Sequence, residues 1–328
     1  MQIHGGQLQQ AVQRFNIPSE QWLDLSTGIN PNGWAVPIVP ASVWSRLPED
    51  EDGLISAAQQ YYECESLQVT AGSQAAIQVL PYLRSACRVV MAKVAYSEHA
   101  LAWRRAGHQV FEVAIEDLAD WIERVDVCVV INPNNPTADF HSKNILLQWQ
   151  QQLSVTGGWL VVDEAFVDTT PEYSLISSTP RQGLIVLRSL GKFFGLAGIR
   201  VGFVMAEAEL LGRLQQQLGI WSISNPARWV AQQALQDRTW QKYTRQQLLE
   251  KSQRLGGLLQ QYKLNSSGQS SLFHWVKKDD AERIYLQLAQ QGVLVRLFAQ
   301  PSSLRFGLPK DSDWEKLERA LKKLEINH

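Results

Sequence analysis

The chain lacks the features that mark nucleic-acid-binding, membrane-spanning and secreted proteins. Its 31 basic residues are offset by 32 acidic ones, so no overall positive field exists to attract nucleic acid. No apolar run approaches the ~20 residues that span a bilayer. The opening stretch "MQIHGGQLQQAVQRF" has neither the basic start nor the apolar segment of a signal peptide. We therefore expect a cytoplasmic protein without a membrane or nucleic-acid partner.

Cysteine is also scarce. Cys64, Cys87 and Cys128 are odd in number, widely spaced and set mostly among apolar residues. This pattern favours reduced core thiols over a disulfide framework or a zinc site. The six histidines show no metal-ligand spacing. We expect no metal site.

Short apolar runs that end in polar residues dominate the middle of the chain. "VDVCVVINPNNPT", "GWLVVDEAFVD" and "GLIVLRSLGK" predict strands buried on both faces, and the segments between them have helical spacing. The fold class is therefore α/β with a mainly parallel sheet. Ligands bind at the carboxyl edge of such sheets, so residues 132–137, 163–166 and 188–192 are predicted to share one site.

The chain of 328 residues is long enough for two lobes. Residues 47–225 are predicted to form the large domain with the parallel sheet. Residues 226–328 begin with a long helical stretch and continue with strand candidates at "SLFHWV", "GVLVRLF" and "SLRFGL". Together with an N-terminal arm, residues 1–46, they are predicted to form a smaller α+β domain.

Lys192 is the strongest candidate for a chemical role. Ser189 precedes it by three residues and Arg200 follows it by eight, and "FFGLAG" between them is apolar. An amine in desolvating surroundings loses its proton more readily and can form a Schiff base. Asp163 ends a predicted strand in "VVDEAF" and supplies a carboxylate at the same edge of the sheet.

These motifs resemble those of the fold-type I pyridoxal-phosphate enzymes, the aspartate aminotransferase superfamily. The resemblance implies that Lys192 holds the aldehyde of pyridoxal 5'-phosphate, and that Ser189 and Arg200 bind its phosphate. It implies that Asp163 pairs with the pyridine nitrogen and keeps it protonated, so that the ring accepts electrons from the substrate. The implied fold is the fold-type I transferase, usually a homodimer.

Further cofactor residues follow from the same resemblance. Asn135 in "NPNNPT" matches the asparagine that binds the phenolic oxygen, and His99 in "VAYSEHA" falls where the family stacks an aromatic ring on the pyridine. The strand-to-helix junction "VTAGSQAAIQVL" points the amides of Gly72, Ser73 and Gln74 at an anion, which suits the cofactor phosphate.

The N-terminal motifs "HGGQL" and "LDLSTGINPNG" resemble one branch of the superfamily, the threonine-phosphate decarboxylases of cobalamin biosynthesis, which are similar to histidinol-phosphate aminotransferases. The resemblance implies decarboxylation of L-threonine O-3-phosphate to (R)-1-amino-2-propanol O-2-phosphate and CO2. It places Arg305 on the substrate carboxylate and Arg296 on the substrate phosphate. It also places a set of residues from the N-terminal arm over the substrate: His4, Gly5 and Asn30.

The sequence departs from the family pattern at three positions. Leu47 stands where the family has the tyrosine of its R-Y-P element, which reaches the cofactor phosphate of the neighbouring subunit. Ala138 replaces the glycine of N-P-T-G, and Phe166 replaces a tyrosine that bonds the phenolic oxygen in many aminotransferases. The decarboxylase branch shares this last change, which we expect to raise the basicity of the Schiff base.

Two other functions remain open at this point. An aminotransferase acting on a phosphorylated amino acid, such as histidinol phosphate, would use the same lysine and aspartate. A non-catalytic binding or regulatory protein could use the same fold, although the presence of Lys192 argues against it. The products formed from threonine phosphate distinguish these functions.

Overall fold

The computed structural model of the protein describes residues 5–325, and the contacts among them define two units. The large unit comprises Gly33–Asn135 and Asp139–Lys242. The small unit comprises the described residues up to Asn32, Pro136–Ala138, and those from Tyr243 onward. The domain boundaries predicted from the sequence lie at residues 47 and 225. The units differ from that division because residues 33–46 and the helix Asn225–Gln236 belong to the large unit.

The regular elements are short strands and mostly short helices. The strands are β1 (Leu23–Asp24), β2 (Leu67–Thr70), β3 (Arg88–Ala92), β4 (Gln109–Val113), β5 (Val127–Ile131), β6 (Trp159–Asp163), β7 (Leu184–Ser189), β8 (Gly202–Met205), β9 (Gly268–Ser270), β10 (Phe273–Lys277), β11 (Val293–Leu294), β12 (Arg296–Phe298) and β13 (Ser303–Gly307). The helices are α1 (Leu8–Phe15), α2 (Leu54–Tyr62), α3 (Ser73–Val79), α4 (Glu98–Arg105), α5 (Leu118–Trp121), α6 (Lys143–Ser154), α7 (Ala208–Leu218), α8 (Asn225–Gln236), α9 (Arg238–Gln261), α10 (Ala281–Gln290) and α11 (Trp314–Lys322).

The large unit is built on a seven-stranded sheet in the order β2-β8-β7-β6-β5-β3-β4. Strand β8 runs antiparallel to both of its neighbours, and the remaining pairs are parallel. The apolar runs predicted as buried strands are β5, β6 and β7, and every residue of these strands is buried. The prediction of a mainly parallel sheet covered on both faces is confirmed.

One face of this sheet packs on α3, α4 and α7. Val161 of β6 and Ile185 and Leu187 of β7 share a core cluster with Trp103 of α4 and Leu214 of α7. Side chains alternate between the faces of a strand. Asp163 and Ser189, each two residues beyond a member of this cluster, therefore face the same side of the sheet.

The small unit contains an antiparallel sheet in the order β12-β13-β10-β9 and a separate parallel pair, β1 and β11. In that pair Leu23 is in register with Val293. Strand β1 of the N-terminal segment thus pairs with a strand from the C-terminal part of the chain. No helix among residues 5–325 has the length and apolar character needed to cross a membrane.

Candidate active site

The carboxyl ends of five strands meet at one edge of the large sheet. Ile131 of β5 is in register with Asp163 of β6, which is in register with Leu187 of β7. The backbone N–H of Asn132 donates to the carbonyl of Asp163 at 2.9 Å. Strands β2 and β3 end at the same edge. Strands β2 and β7 both run antiparallel to β8 and are therefore parallel to each other, and β3 is parallel to β5. Three ranges were predicted to meet at one edge of the sheet: residues 132–137, 163–166 and 188–192. The residues of these ranges that belong to the large unit do meet there.

Asp163 is buried and hydrogen-bonded on both oxygens. His99 Nε2 lies 2.9 Å from Asp163 Oδ2, and the backbone N–H of Ala165 donates to Asp163 Oδ1 at 3.1 Å. His99 is 1% exposed and Asp163 4% exposed. Two partners hold the carboxylate in one orientation within a nearly dry site, where its charge acts strongly on whatever lies beside it.

His99 was predicted to stack on the cofactor, and the structure places its ring edge on Asp163 instead. A stacking role of His99 stays a prediction. Tyr96, three residues earlier, was not identified from the sequence. Its hydroxyl donates to Gln74 Oε1 at 3.1 Å, and Gln74 Nε2 donates to Glu98 Oε2 at 3.0 Å. The signal that could have found Tyr96 is an aromatic residue in the short segment between the end of β3 and the start of α4.

Gly72 provides room for the guanidinium of Arg200. A Cβ on Gly72 would lie 2.6 Å from Arg200 Nη2, and Gly72 has a φ of +71°, so both space and backbone conformation require glycine. A Cβ on Gly202 would lie 2.5 Å from the amide nitrogen of Ser73. Arg200 and the amides that open α3 are thereby close together, as a phosphate site requires.

Lys192 lies in a tight turn between β7 and β8. The N–H of Gly195 donates to the Lys192 carbonyl at 3.2 Å, and Ser189 Oγ accepts the N–H of Gly191 at 3.2 Å. Lys192 Nζ lies 5.3 Å from the ring centroid of Phe166. An aromatic ring at this distance shields one side of the amine from water.

The loop after β5 presents Asn135. Asn134 fixes this loop, because its N–H donates to the Asp139 carbonyl and its Nδ2 to the Val94 carbonyl, each at 2.8 Å. The side chain of Asn132 binds both backbone groups of His141. Rigid flanking residues set the position of Asn135 in the large unit.

Ala138 adopts a φ of 62°, in the left-handed region that favours glycine. The family pattern N-P-T-G has glycine at this position. The chain therefore keeps a conformation suited to glycine while carrying a Cβ, at an energetic cost.

The small unit brings four of the five predicted substrate residues into described positions. Arg296 of β12 and Arg305 of β13 are register partners on adjacent antiparallel strands. Arg305 Nη2 donates to the Ser26 carbonyl at 2.7 Å, and a Cβ on Gly5 would lie 2.4 Å from that same oxygen. Asn30 is buried, and its Oδ1 accepts the N–H of Asn32 at 3.0 Å. His4 lies outside the described residues.

Arg305 is 6% exposed, and its register partner on the adjacent strand is a second cation, Arg296. Burial, reinforced by the charge of Arg296, lowers the pKa of Arg305 to about 9. Two arginines held this close in a desolvated setting favour a bound anion, because an anion relieves the repulsion between them.

Comparisons with known proteins agree with this geometry. A family model for aminotransferase class I and II matches residues 48–324. The chain belongs to the aminotransferase class I and II family. A Pseudomonas aeruginosa protein named threonine-phosphate decarboxylase is 48% identical over 319 residues, covering 97% of this chain and 96% of its own length. A protein of the same name from Sinorhizobium sp. is 37% identical over 332 residues, covering 99% and 98%.

A solved structure gives the same fold. The histidinol-phosphate aminotransferase from Sinorhizobium meliloti, in complex with pyridoxal 5'-phosphate, superposes with a TM-score of 0.85 at 20% identity, covering 98% of this chain and 94% of its own. Members of this family use pyridoxal 5'-phosphate, and it is the cofactor of this chain.

The residues at the sheet edge fit that cofactor. It needs an amine for its aldehyde, a carboxylate for its pyridine nitrogen and cationic or amide donors for its phosphate. The large unit supplies Lys192, the doubly hydrogen-bonded Asp163, and Arg200 beside a glycine that leaves space for it. The donor set therefore matches each end of the cofactor.

Proposed function

We propose that the chain is a pyridoxal-phosphate-dependent lyase that removes CO2 from L-threonine O-3-phosphate, forming (R)-1-amino-2-propanol O-2-phosphate for cobalamin biosynthesis. The observation that carries this proposal is the 48% identity, over 97% of the chain, to a protein named threonine-phosphate decarboxylase. The opposed pair Arg296 and Arg305 supports it, because the substrate carries two anionic groups.

In this proposal the large unit holds the cofactor. Lys192 binds the aldehyde, Asp163 the pyridine nitrogen and Asn135 the phenolic oxygen. The phosphate is bound by a set of donors: Gly72, Ser73, Gln74, Ser189 and Arg200. When bound there, the cofactor would supply an electron sink for the substrate Cα. His99, which is hydrogen-bonded to Asp163 through its ring edge, is proposed to stack on the pyridine with its ring face, and Tyr96 is a second candidate for that task.

The residues of this chain have separate tasks in the reaction. Arg305 binds the α-carboxylate, with the planar fork that arginine offers, and Arg296 binds the substrate phosphate. Holding both ends fixes rotation about the bond between Cα and nitrogen, so that the bond from Cα to the carboxylate carbon breaks and CO2 leaves. Lys192 Nζ delivers the proton that replaces the carboxylate on Cα. His4, Gly5 and Asn30 are proposed to cover the substrate.

We also propose that the protein is a homodimer. The large unit carries a groove of about 650 Å³ whose lining includes Trp44, Leu47, Ile199 and Trp221. Trp44 is 67% exposed, Leu47 61% and Trp221 56%, an unusual concentration of apolar surface for a monomer. The groove reaches Ile199, next to Arg200, and family resemblance makes a second copy its occupant. Light scattering tests this, with Trp44→Lys expected to give monomers.

The reaction is proposed to take place in the cytoplasm, where free thiols persist. Cys64, Cys87 and Cys128 are all free. Burial raises the pKa of Cys128 to about 12, so this thiol is inert at neutral pH.

The products formed from threonine phosphate test the proposed function. The holoenzyme is incubated with L-threonine O-3-phosphate, and CO2 and aminopropanol phosphate are measured. Parallel reactions contain histidinol phosphate with 2-oxoglutarate, and Lys192→Ala serves as the inactive control. Equal release of CO2 and the amine phosphate supports decarboxylation. Amino-group transfer without CO2 would assign the chain to the aminotransferases instead.

A further inference from the structure

The segment that follows β6, residues 164–168, contacts both residues proposed to act on the cofactor. We name it the post-β6 loop. The N–H of Ala165 donates to Asp163 Oδ1 at 3.1 Å. The ring of Phe166, the next residue, lies beneath Lys192, with 5.3 Å between Nζ and the ring centroid. The position of this loop therefore sets the orientation of the carboxylate and the surroundings of the amine.

Both ends of the post-β6 loop bind one guanidinium, that of Arg188. Arg188 Nη1 lies 3.0 Å from Glu164 Oε2, and Nη2 donates to Asp168 Oδ1. The Arg188 side chain is 2% exposed, and both carboxylates are fully buried. By strand alternation Arg188 faces the side of the sheet opposite to Leu187 and Ser189, so it holds the loop from behind.

Neighbouring groups leave the two loop ends little freedom. Glu164 also accepts from Ser174 Oγ at 2.6 Å and from the N–H of Leu175 at 2.7 Å. Tyr61 donates to Asp168 Oδ1 at 2.9 Å. Burial raises the pKa of the Glu164 carboxyl, and the charge of Arg188 opposes that rise. A buried charge network of this kind is costly to break, because removing one member leaves the others unpaired.

We propose that Arg188 is a positioning residue, which aligns Asp163 and Lys192 by fixing both ends of the post-β6 loop. The proposal rests on the proposed roles of Asp163 and Lys192. Arginine suits this task because its planar fork binds two carboxylates at once in fixed directions. A lysine at position 188 would keep the positive charge as a compact ammonium on a flexible stem. It would not bind the carboxylates at both ends of the loop in fixed directions.

Arg188→Lys is the test, and Arg228→Lys is its matched control. Arg228 is also a buried arginine between two carboxylates of the large unit, since Nε lies 2.6 Å from Asp52 Oδ2 and Nη1 lies 3.2 Å from Asp50 Oδ1. It makes no contact with the post-β6 loop in the described structure. Three quantities are measured on each holoenzyme: the unfolding midpoint, the pH dependence of the visible cofactor absorbance without substrate, and kcat and KM for threonine phosphate.

Both variants are expected to lower the unfolding midpoint. Arg188→Lys alone is expected to shift the absorbance transition, by about half a pH unit or more, because Asp163 and Phe166 move relative to the cofactor. Its kcat is expected to fall about 10- to 100-fold, with KM changing less than about threefold, as displaced catalytic groups predict. Asp168→Asn keeps an accepting oxygen but loses the charge, and is expected to give the same changes in weaker form.

A purely structural role predicts another outcome. If Arg188→Lys lowers the midpoint while its absorbance transition and kcat match those of Arg228→Lys, the positioning role is wrong. If Arg188→Lys does not yield folded protein, Asp168→Asn decides by the same comparison. The absorbance measurement requires no substrate. Failure of the wild type to release CO2 would therefore refute the proposed reaction without deciding the role of Arg188.

Discussion

Replacing Arg296 with alanine is expected to leave the free protein equally stable or slightly more stable, and to impair substrate binding. Arg296 and Arg305 are register partners on adjacent strands, and the charge of Arg296 lowers the pKa of Arg305. Two unit charges about 4 Å apart repel by about 4 kcal/mol at an effective dielectric constant of about 20, and the repulsion falls in proportion as the distance grows. Loss of packing by the arginine stem offsets part of this gain. We expect the free energy of unfolding to stay level or to rise by about 1 kcal/mol.

The pH dependence of this effect has a defined sign. Burial and the charge of Arg296 lower the pKa of Arg305 to about 9 in the folded protein, well below the ordinary value of an arginine. Between pH 9 and the ordinary pKa of an arginine the unfolded chain binds more protons, so this group adds stability as the pH rises above about 9. Below pH 9 both arginines are charged and their repulsion is present in full. Measurements of the free energy of unfolding near pH 7 therefore include the full relief of this repulsion by Arg296→Ala.

The functional effect has the opposite direction. Removing one partner of a buried, hydrogen-bonded charge pair costs about 2 to 5 kcal/mol, or roughly 30- to 5,000-fold in kcat/KM for threonine phosphate. The activity with unphosphorylated threonine, which lacks the phosphate, is expected to change little. Chemical denaturation measures the effect on the free energy of unfolding. Steady-state kinetics with threonine phosphate and with threonine measure the effect on substrate preference. The reasoning fails if Arg296→Ala destabilises the free protein by more than about 1 kcal/mol and still prefers threonine phosphate by the wild-type factor.

Three further predictions concern the cofactor and the backbone. The wild type is expected to be yellow and Lys192→Ala colourless, and borohydride reduction with peptide mapping should place the pyridoxyl group on Lys192 and on no other lysine. Asp163→Asn should keep the cofactor but lose about 100-fold or more in kcat, since each ~1.4 kcal/mol is a factor of ten; wild-type turnover would remove Asp163 from the mechanism. Ala138→Gly should raise the free energy of unfolding by roughly 0.5 to 1 kcal/mol, because φ is 62° there, and a decrease on denaturant unfolding would contradict this.

Much of the large unit could be predicted from the sequence because its strands are continuous apolar runs that end in polar residues. Such a run is buried on both faces, and the polar residues after it must lie at the sheet edge. Asp163 and the turn that carries Lys192 were found this way. The residues at the carboxyl edge of the sheet could be predicted because their location depends only on where each strand ends and in which direction it runs.

Side-chain pairing across the sheet could not be predicted in the same way. Glu164 and Arg188 lie in ranges that were predicted to reach the ligand site at the sheet edge, yet they are buried together with Asp168. Their meeting depends on the register of β6 with β7 and on the path of the post-β6 loop, neither of which the sequence specifies locally. An arginine inside the apolar run "LIVLRSL" was the available signal, since a buried cation requires a carboxylate partner.

The choice between decarboxylation and transamination does not reside in the cofactor residues. Lys192 and Asp163 serve both reactions, because each reaction begins by withdrawing electrons from the same Cα. The reactions differ in which bond to Cα is held perpendicular to the ring. The choice of bond depends on which residues bind the two ends of the substrate and in which orientation. In this chain the candidates for that task are Arg296 and Arg305, held in register by β12 and β13. Binding energy from the phosphate, which does not react, can thus select the carboxylate as the leaving group. The specificity of the reaction is therefore expected to follow the small unit, even where the cofactor residues are unchanged.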